Sequence, residues 1–131
     1  MVPAPLLRFA LRLDGVASIG VGLVVCLGLS ATAHALGAPR ALMLGTGLFC
    51  VAYGAMAFWL GSRAYLRSAP IRAIAVGNGL WAAGSVWLGF SGWLVPTEVG
   101  LALLLAQAAA VGVFALLLLL LTTITFVYWL A

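Results

Sequence analysis

The chain has 131 residues, of which 66% are hydrophobic and only 6% are charged, and its formal net charge is +4. Such a chain has too little polar side-chain surface to cover a water-soluble globule of this size, so the composition excludes a soluble domain and indicates a membrane protein. All six basic residues are arginines beside the borders of apolar segments. In that position they act as topology signals rather than as a phosphate-binding surface, which argues against a nucleic-acid partner.

Four apolar segments in succession predict four transmembrane helices, each with roughly the twenty residues that a bilayer core requires. The expected spans are about residues 15–36, 41–60, 73–94 and 98–130. Tight turns are predicted at Gly37–Arg40 and at Val95–Glu98, with Thr97 placed to cap the fourth helix and Glu98 in its first turn. We therefore expect an all-α polytopic membrane protein, a single four-helix domain over residues 1–131, arranged as two helical hairpins.

The arginines are distributed unevenly between the two ends of the predicted spans. Arg40, beside Glu98, lies at one end, and all the others lie at the opposite end: Arg8, Arg12, Arg63, Arg67 and Arg72. Because loops rich in arginine stay in the cytoplasm, both termini and the central loop Gly61–Arg72 are expected to be cytoplasmic. The expected location is the bacterial cytoplasmic (inner) membrane.

Small residues recur at every fourth position of the first two spans. The first row is Ser18, Gly22, Cys26 and Ser30, and the second is Thr46, Cys50 and Gly54. Small residues let helices approach closely in a bilayer, so both rows predict helix-packing surfaces.

The two cysteines, Cys26 and Cys50, lie about equally far along the chain from the first turn. We therefore expect them to face one another at the same depth, at a rise of about 1.5 Å per residue. A redox or soft-metal pair is the functional alternative, but thiols in hydrocarbon without basic neighbours favour simple packing.

The third span carries a polar stripe formed by Asn78, Trp81 and Ser85. Hydrocarbon offers no hydrogen-bond partner to an amide, an indole N–H or a hydroxyl. The stripe is therefore expected to face protein rather than lipid.

Three short motifs give the chain a resemblance to a group of uncharacterised bacterial four-helix integral membrane proteins. They are Arg12-Leu-Asp14-Gly-Val-Ala-Ser18 at the first span, Asn78-Gly-Leu-Trp81 with Ser85 in the third, and Gln107-Ala-Ala-Ala-Val111 in the fourth. The resemblance covers roughly residues 10 to 112. It implies a four-helix membrane fold and supplies no activity.

Asp14 is the candidate for a functional acid, because small four-span transporters coupled to protons carry an acid at the edge of the first span. Asp14, however, lies only two positions after Arg12. It is therefore also well placed to begin a helix and to be solvated or paired with a charge at the membrane border. We expect the structural role, with a coupling acid as the alternative.

The sequence offers only two weak candidates for binding a cofactor, and it does not identify the cofactor. His34 follows the small residue Ser30 by four positions, which suits a tetrapyrrole, and Trp81 could touch a pigment or quinone. With one histidine and two acids in the chain, we expect neither a metal site nor catalytic residues.

The sequence thus predicts a non-enzymatic membrane protein that serves as an accessory, assembly or lipid-contacting subunit. Its expected partners are the lipid bilayer and either other membrane subunits or further copies of itself. The alternatives are a dimeric four-span proton-coupled transporter and a pigment- or quinone-contacting subunit of an energy-converting complex.

The arginine distribution makes the topology testable by labelling single cysteines at Ser68 and Thr97 in a cysteine-free background. In intact cells an impermeant thiol reagent should label position 97 and spare position 68 until the membrane is opened. Labelling of position 68 from outside would contradict this topology.

Overall fold

A computed structural model describes the backbone of residues 5–130 and the side chains of residues 5–127. Residues 1–4 and 131 of the expected single domain lie outside the described part. The helices are α1 (Pro5–Leu27), α2 (Leu29–Leu36), α3 (Arg40–Gly61), α4 (Ser68–Phe90) and α5 (Glu98–Leu130). All but the short α2 are long and apolar enough to cross a membrane. The described residues contain no strand, and the fold is that of an all-α multi-pass membrane protein.

The second and fourth predicted spans agree with α3 and α5, whereas the first and third differ from the helices, and α4 begins early, at Ser68. The first helix begins at Pro5, well before residue 15, and it is interrupted at Gly28, so that α2 forms a separate short helix. Glycine in a helix interior weakens the helix, and Gly28 departs from helical geometry with φ −102° and ψ 41°. The third span also ends early, at Phe90. Thr97 caps α5 as expected, since its hydroxyl accepts a hydrogen bond of 3.0 Å from the Gly100 N–H.

The first hairpin is held by direct backbone contact between α1 and α3. A Cβ added at Gly15 would lie 2.6 Å from the carbonyl oxygen of Gly54, and one added at Gly22 would lie 2.6 Å from that of Gly47. Only glycine permits this approach, and in a bilayer such contact stabilises helix pairs through dispersion and weak Cα–H···O bonds.

The prediction that the small-residue rows form the packing surfaces was therefore correct in part. Gly22 and Gly54 lie in the interface, but the repeat of the glycines is seven residues, so that Gly15 and Gly47 also belong to it. Ser30 is exposed because it lies beyond the interruption at Gly28. Of the other row members, Ser18, Cys26, Thr46 and Cys50 are half-buried.

The prediction that Cys26 and Cys50 face one another at the same depth was wrong. The Sγ of Cys26 lies 2.6 Å from where a Cβ at Gly47 would be, and both cysteines are free thiols. Since Gly22 packs between Gly47 and Val51, Cys50 lies beside an earlier turn of α1. Equal counts from the turn give equal depth only if both helices run symmetrically from it, whereas Gly22 lies opposite Gly47 and Val51.

The second hairpin, α4 and α5, joins the first at both ends of the bundle. At the end that carries both termini, apolar side chains of α1, α4, α5 and the central loop form one buried cluster: Leu7, Ala10, Leu11, Leu66, Ile71, Ile74, Ala75 and Leu118. At the other end the backbone N–H and the hydroxyl of Thr97 donate to the Ala35 carbonyl oxygen, at 2.9 and 3.1 Å. These bonds satisfy a carbonyl at the end of α2 that has no partner within the helix.

Two arginines of α1 hydrogen-bond to the C-terminal end of α3. The Nε groups of Arg8 and Arg12 donate to the carbonyl oxygen of Gly61, at 3.3 and 3.1 Å. Cations are favourable at the C-terminus of a helix because the unsatisfied carbonyls carry partial negative charge. The two residues thus tie the start of α1 to the end of α3.

The glycine contact predicts opposite effects for two substitutions on α3. Gly54→Ala should lower the free energy of unfolding by about 1–3 kcal/mol, because its methyl group would collide with the backbone of α1. Gly45→Ala should be neutral or slightly stabilising, since a Cβ there meets nothing within 4 Å. Detergent-titrated unfolding of both variants checks this, and equal effects would contradict the packing.

Candidate functional site

Three polar side chains from three helices meet inside the bundle. Asn78 Nδ2 on α4 donates to Asp14 Oδ2 on α1 at 3.0 Å. The hydroxyl oxygen of Tyr53 on α3 lies 2.7 Å from Asp14 Oδ2 and 2.8 Å from Asn78 Oδ1. Asp14 is 3% exposed and Asn78 is 5% exposed. We call these residues the polar triad.

The glycine contact positions this triad. Asp14 and Tyr53 directly precede Gly15 and Gly54, the pair at which the backbones of α1 and α3 touch. Neighbouring residues of two helices in backbone contact are brought within reach of each other's side chains. The carboxyl and the phenol can therefore meet without either side chain being fully extended.

The expectation that Asp14 begins a helix at the membrane border was wrong. It lies in the interior of α1, which begins at Pro5, and its carboxyl is buried between helices. Arg12 does not pair with it in the described contacts, since its Nε donates to Gly61 and its guanidinium lies 5.9 Å above the Phe58 ring. The helix interior has no free N–H groups to cap, so Asp14 bonds to other helices instead.

An aromatic stack extends the triad toward the opposite end of α4. The Phe49 ring lies parallel to that of Tyr53, with centroids 6.3 Å apart, and to that of Trp81, with centroids 5.7 Å apart. Trp81 Nε1 donates to Gln107 Oε1 on α5 at 3.1 Å. Polar and aromatic groups thus connect all four long helices, although the Phe49 ring in the stack is exposed.

The expected stripe on α4 faces protein, as the sequence predicted. Asn78 and Ser85 are buried and Trp81 is half-buried. The Ser85 hydroxyl, however, donates to the Trp81 carbonyl oxygen within the same helix, at 2.8 Å. Of the three stripe residues, only Asn78 and Trp81 therefore hydrogen-bond to other helices.

The cofactor candidates do not come together with the triad. His34 lies exposed on α2, near the turn opposite the termini. The N–H of Trp81 is already bonded to Gln107. Within residues 5–127 no group of three histidine, cysteine or acidic side chains could hold a metal ion.

Two residues of the site were missed in the sequence. A phenol at Tyr53 and an amide at Gln107 each lie within an apolar span, and both need partners that hydrocarbon cannot supply. That requirement was applied to α4 alone, and the same reasoning would have found both residues.

A second polar feature lies at the loop between α3 and α4. A cavity of about 380 Å³ is lined by Trp59, Leu60, Arg63, Tyr65, Arg67 and Pro70. The Arg63 guanidinium lies 4.8 Å above the Trp59 ring. Arginine and aromatic rings at a membrane border suit contact with anionic lipid headgroups.

No family model, no curated protein and no solved structure matches this chain. The resemblance to the bacterial four-helix proteins therefore rests on the short sequence motifs.

The triad predicts that Tyr53→Phe lowers the free energy of unfolding by about 1–3 kcal/mol, because buried polar atoms lose a partner. The matched control is Tyr65→Phe, at an exposed loop tyrosine, which should change it by less than about 0.5 kcal/mol. Detergent-titrated unfolding followed by tryptophan fluorescence measures both. A Tyr53→Phe protein as stable as the control would show that the hydroxyl contributes nothing.

Proposed function

We propose that this protein is a non-enzymatic accessory, assembly or lipid-contacting subunit of a larger assembly in the bacterial cytoplasmic membrane. The observation that carries the proposal is the outward face of α4. Gly77 and Gly84 are exposed there, and a Cβ added to either would meet nothing within 4 Å. These glycines weaken the helix without giving any contact within the chain.

The spacing of the open glycines supports an adhesive role. Gly77 and Gly84 are seven residues apart, the same interval as between Gly47 and Gly54, which pack against α1. Leu80, between them, is also exposed. A further helix lying on this face would make the backbone contact that small residues permit in a bilayer.

The inward-facing polar groups support a structural role rather than catalysis. The triad and the Trp81–Gln107 bond are satisfied within the bundle, and no buried side-chain nitrogen or oxygen of the described residues lacks a partner. A catalytic group needs a position where a substrate can reach it.

Lipid contact draws support from the loop cavity and from the charge distribution. Arg63 and Arg67 line the cavity at the end of the bundle that also holds Arg8 and Arg12. Arginine concentrated at one end is typical of the cytoplasmic side, where anionic headgroups would be available.

A proton-coupled transporter is the second candidate, and the burial of Asp14 favours it. An ionisable side chain inside a membrane bundle is expensive and is often functional. Proton-coupled efflux from proteoliposomes that Asp14→Asn abolishes would support this candidate. For the pigment- or quinone-contacting alternative, no contact of His34 or Trp81 gives comparable support.

The subunit proposal predicts that Gly84→Leu disrupts the assembly and leaves the chain folded, because the new side chain would block the outward face only. The control is Ala83→Leu, at the neighbouring exposed position of α4, which adds similar bulk about 100° around the helix. The measurement is native mass spectrometry of complexes extracted gently from the membrane, with identification of the chains that co-purify.

We expect wild type and Ala83→Leu to retain the same partner and Gly84→Leu to lose it, although the unfolding midpoint of neither variant falls below that of wild type. A wild-type protein extracted as a monomer, or one partner retained by all three proteins, would overturn the assignment of this face.

A further inference from the structure

The polar triad is a closed ring of three hydrogen-bond contacts. Tyr53 Oη contacts both Asp14 Oδ2 and Asn78 Oδ1, at 2.7 and 2.8 Å, and Asn78 Nδ2 contacts Asp14 Oδ2 at 3.0 Å. Each contact needs one hydrogen between its two heavy atoms. The ring therefore needs three hydrogens.

The side chains supply three hydrogens only if Asp14 is protonated. The amide nitrogen of Asn78 provides the hydrogen of its own contact with Asp14, and the phenol of Tyr53 has a single hydrogen to place. An ionised Asp14 has none. One of the two contacts made by Tyr53 would then join two oxygen atoms below 3 Å with no hydrogen between them.

This conclusion does not depend on how the Asn78 amide is oriented. Exchanging its oxygen and nitrogen, which are assigned from their partners, moves the amide hydrogen to the contact with Tyr53. The two remaining contacts, from Tyr53 and from Asn78 to Asp14 Oδ2, still have only the phenol hydrogen. The third must again come from the carboxyl.

Among the described contacts Asp14 forms no ion pair with an arginine. Tyr53 and Asn78 face it from α3 and α4, and the nearest arginine along α1, Arg12, donates to Gly61. On α5 the only charged residue is Glu98, at the opposite end of the bundle.

We propose that Asp14 is a proton-binding site that is occupied in the folded protein, where Asp14, Tyr53 and Asn78 form a cyclic ring of hydrogen bonds. The bound proton joins α1, α3 and α4, because the ring is complete only when it is present. Its removal leaves two unshielded oxygens in contact and weakens the attachment of α4 to the first hairpin. This site is independent of any partner of the α4 face.

Infrared spectroscopy at neutral pH tests the proposal directly, with the protein in vesicles of ether-linked lipids, which have no ester carbonyl to mask the band of a protonated carboxyl. The chain has two carboxyl side chains, Asp14 and the exposed Glu98. We expect one carbonyl band of a protonated carboxyl, lost in Asp14→Asn and kept in the matched control Glu98→Gln. Protein labelled with ¹³C at the aspartate side-chain carbonyl gives the same assignment without a substitution, because the band should shift on labelling.

The spectra distinguish a protonated Asp14 from an ionised Asp14 and from a protonated Glu98. A band that shifts on aspartate labelling and persists in Glu98→Gln supports the proton site. Carboxylate bands without a protonated-carboxyl band at neutral pH would overturn it. So would a protonated-carboxyl band that disappears in Glu98→Gln and does not shift on aspartate labelling.

Discussion

The close approach of the α1 and α3 backbones is the constraint on which the rest of the structure depends. Because glycines meet glycines along this pair, the two backbones touch and the side chains beside them are brought together. Asp14 and Tyr53 are the residues next to one such contact, and Asn78 reaches them from α4. A larger residue in the contact would separate the carboxyl from the phenol as well as the helices.

The two hairpins are joined by few but different interactions. An apolar cluster joins them at the end with the termini, the polar triad joins them within the bilayer, and Thr97 bonds to Ala35 at the far end. Apolar burial gives little net attraction between helices in lipid, whereas a polar group without a partner is costly there. The polar contacts therefore determine the relative position of the hairpins.

Much of this fold could be predicted from the sequence because its strongest signals are local. Span length, the Thr97 cap and the inward stripe of α4 each follow from residues close together in the chain. The site was harder to predict, since Asp14 next to Arg12 looks like a border residue until α3 is known to supply Tyr53. The prediction for the cysteines was wrong because the alignment of α1 with α3 is set by the glycine contacts between the helices, which counting from the turn does not reveal.

The bonds from Thr97 to Ala35 have a consequence for biosynthesis. The ribosome synthesises the first hairpin before the turn that contains Thr97. The Ala35 carbonyl therefore lacks its hydrogen-bond donor until that later part of the chain has been made. The first hairpin is thus synthesised with an acceptor that the second hairpin must satisfy, and the fold is complete only when the second hairpin docks.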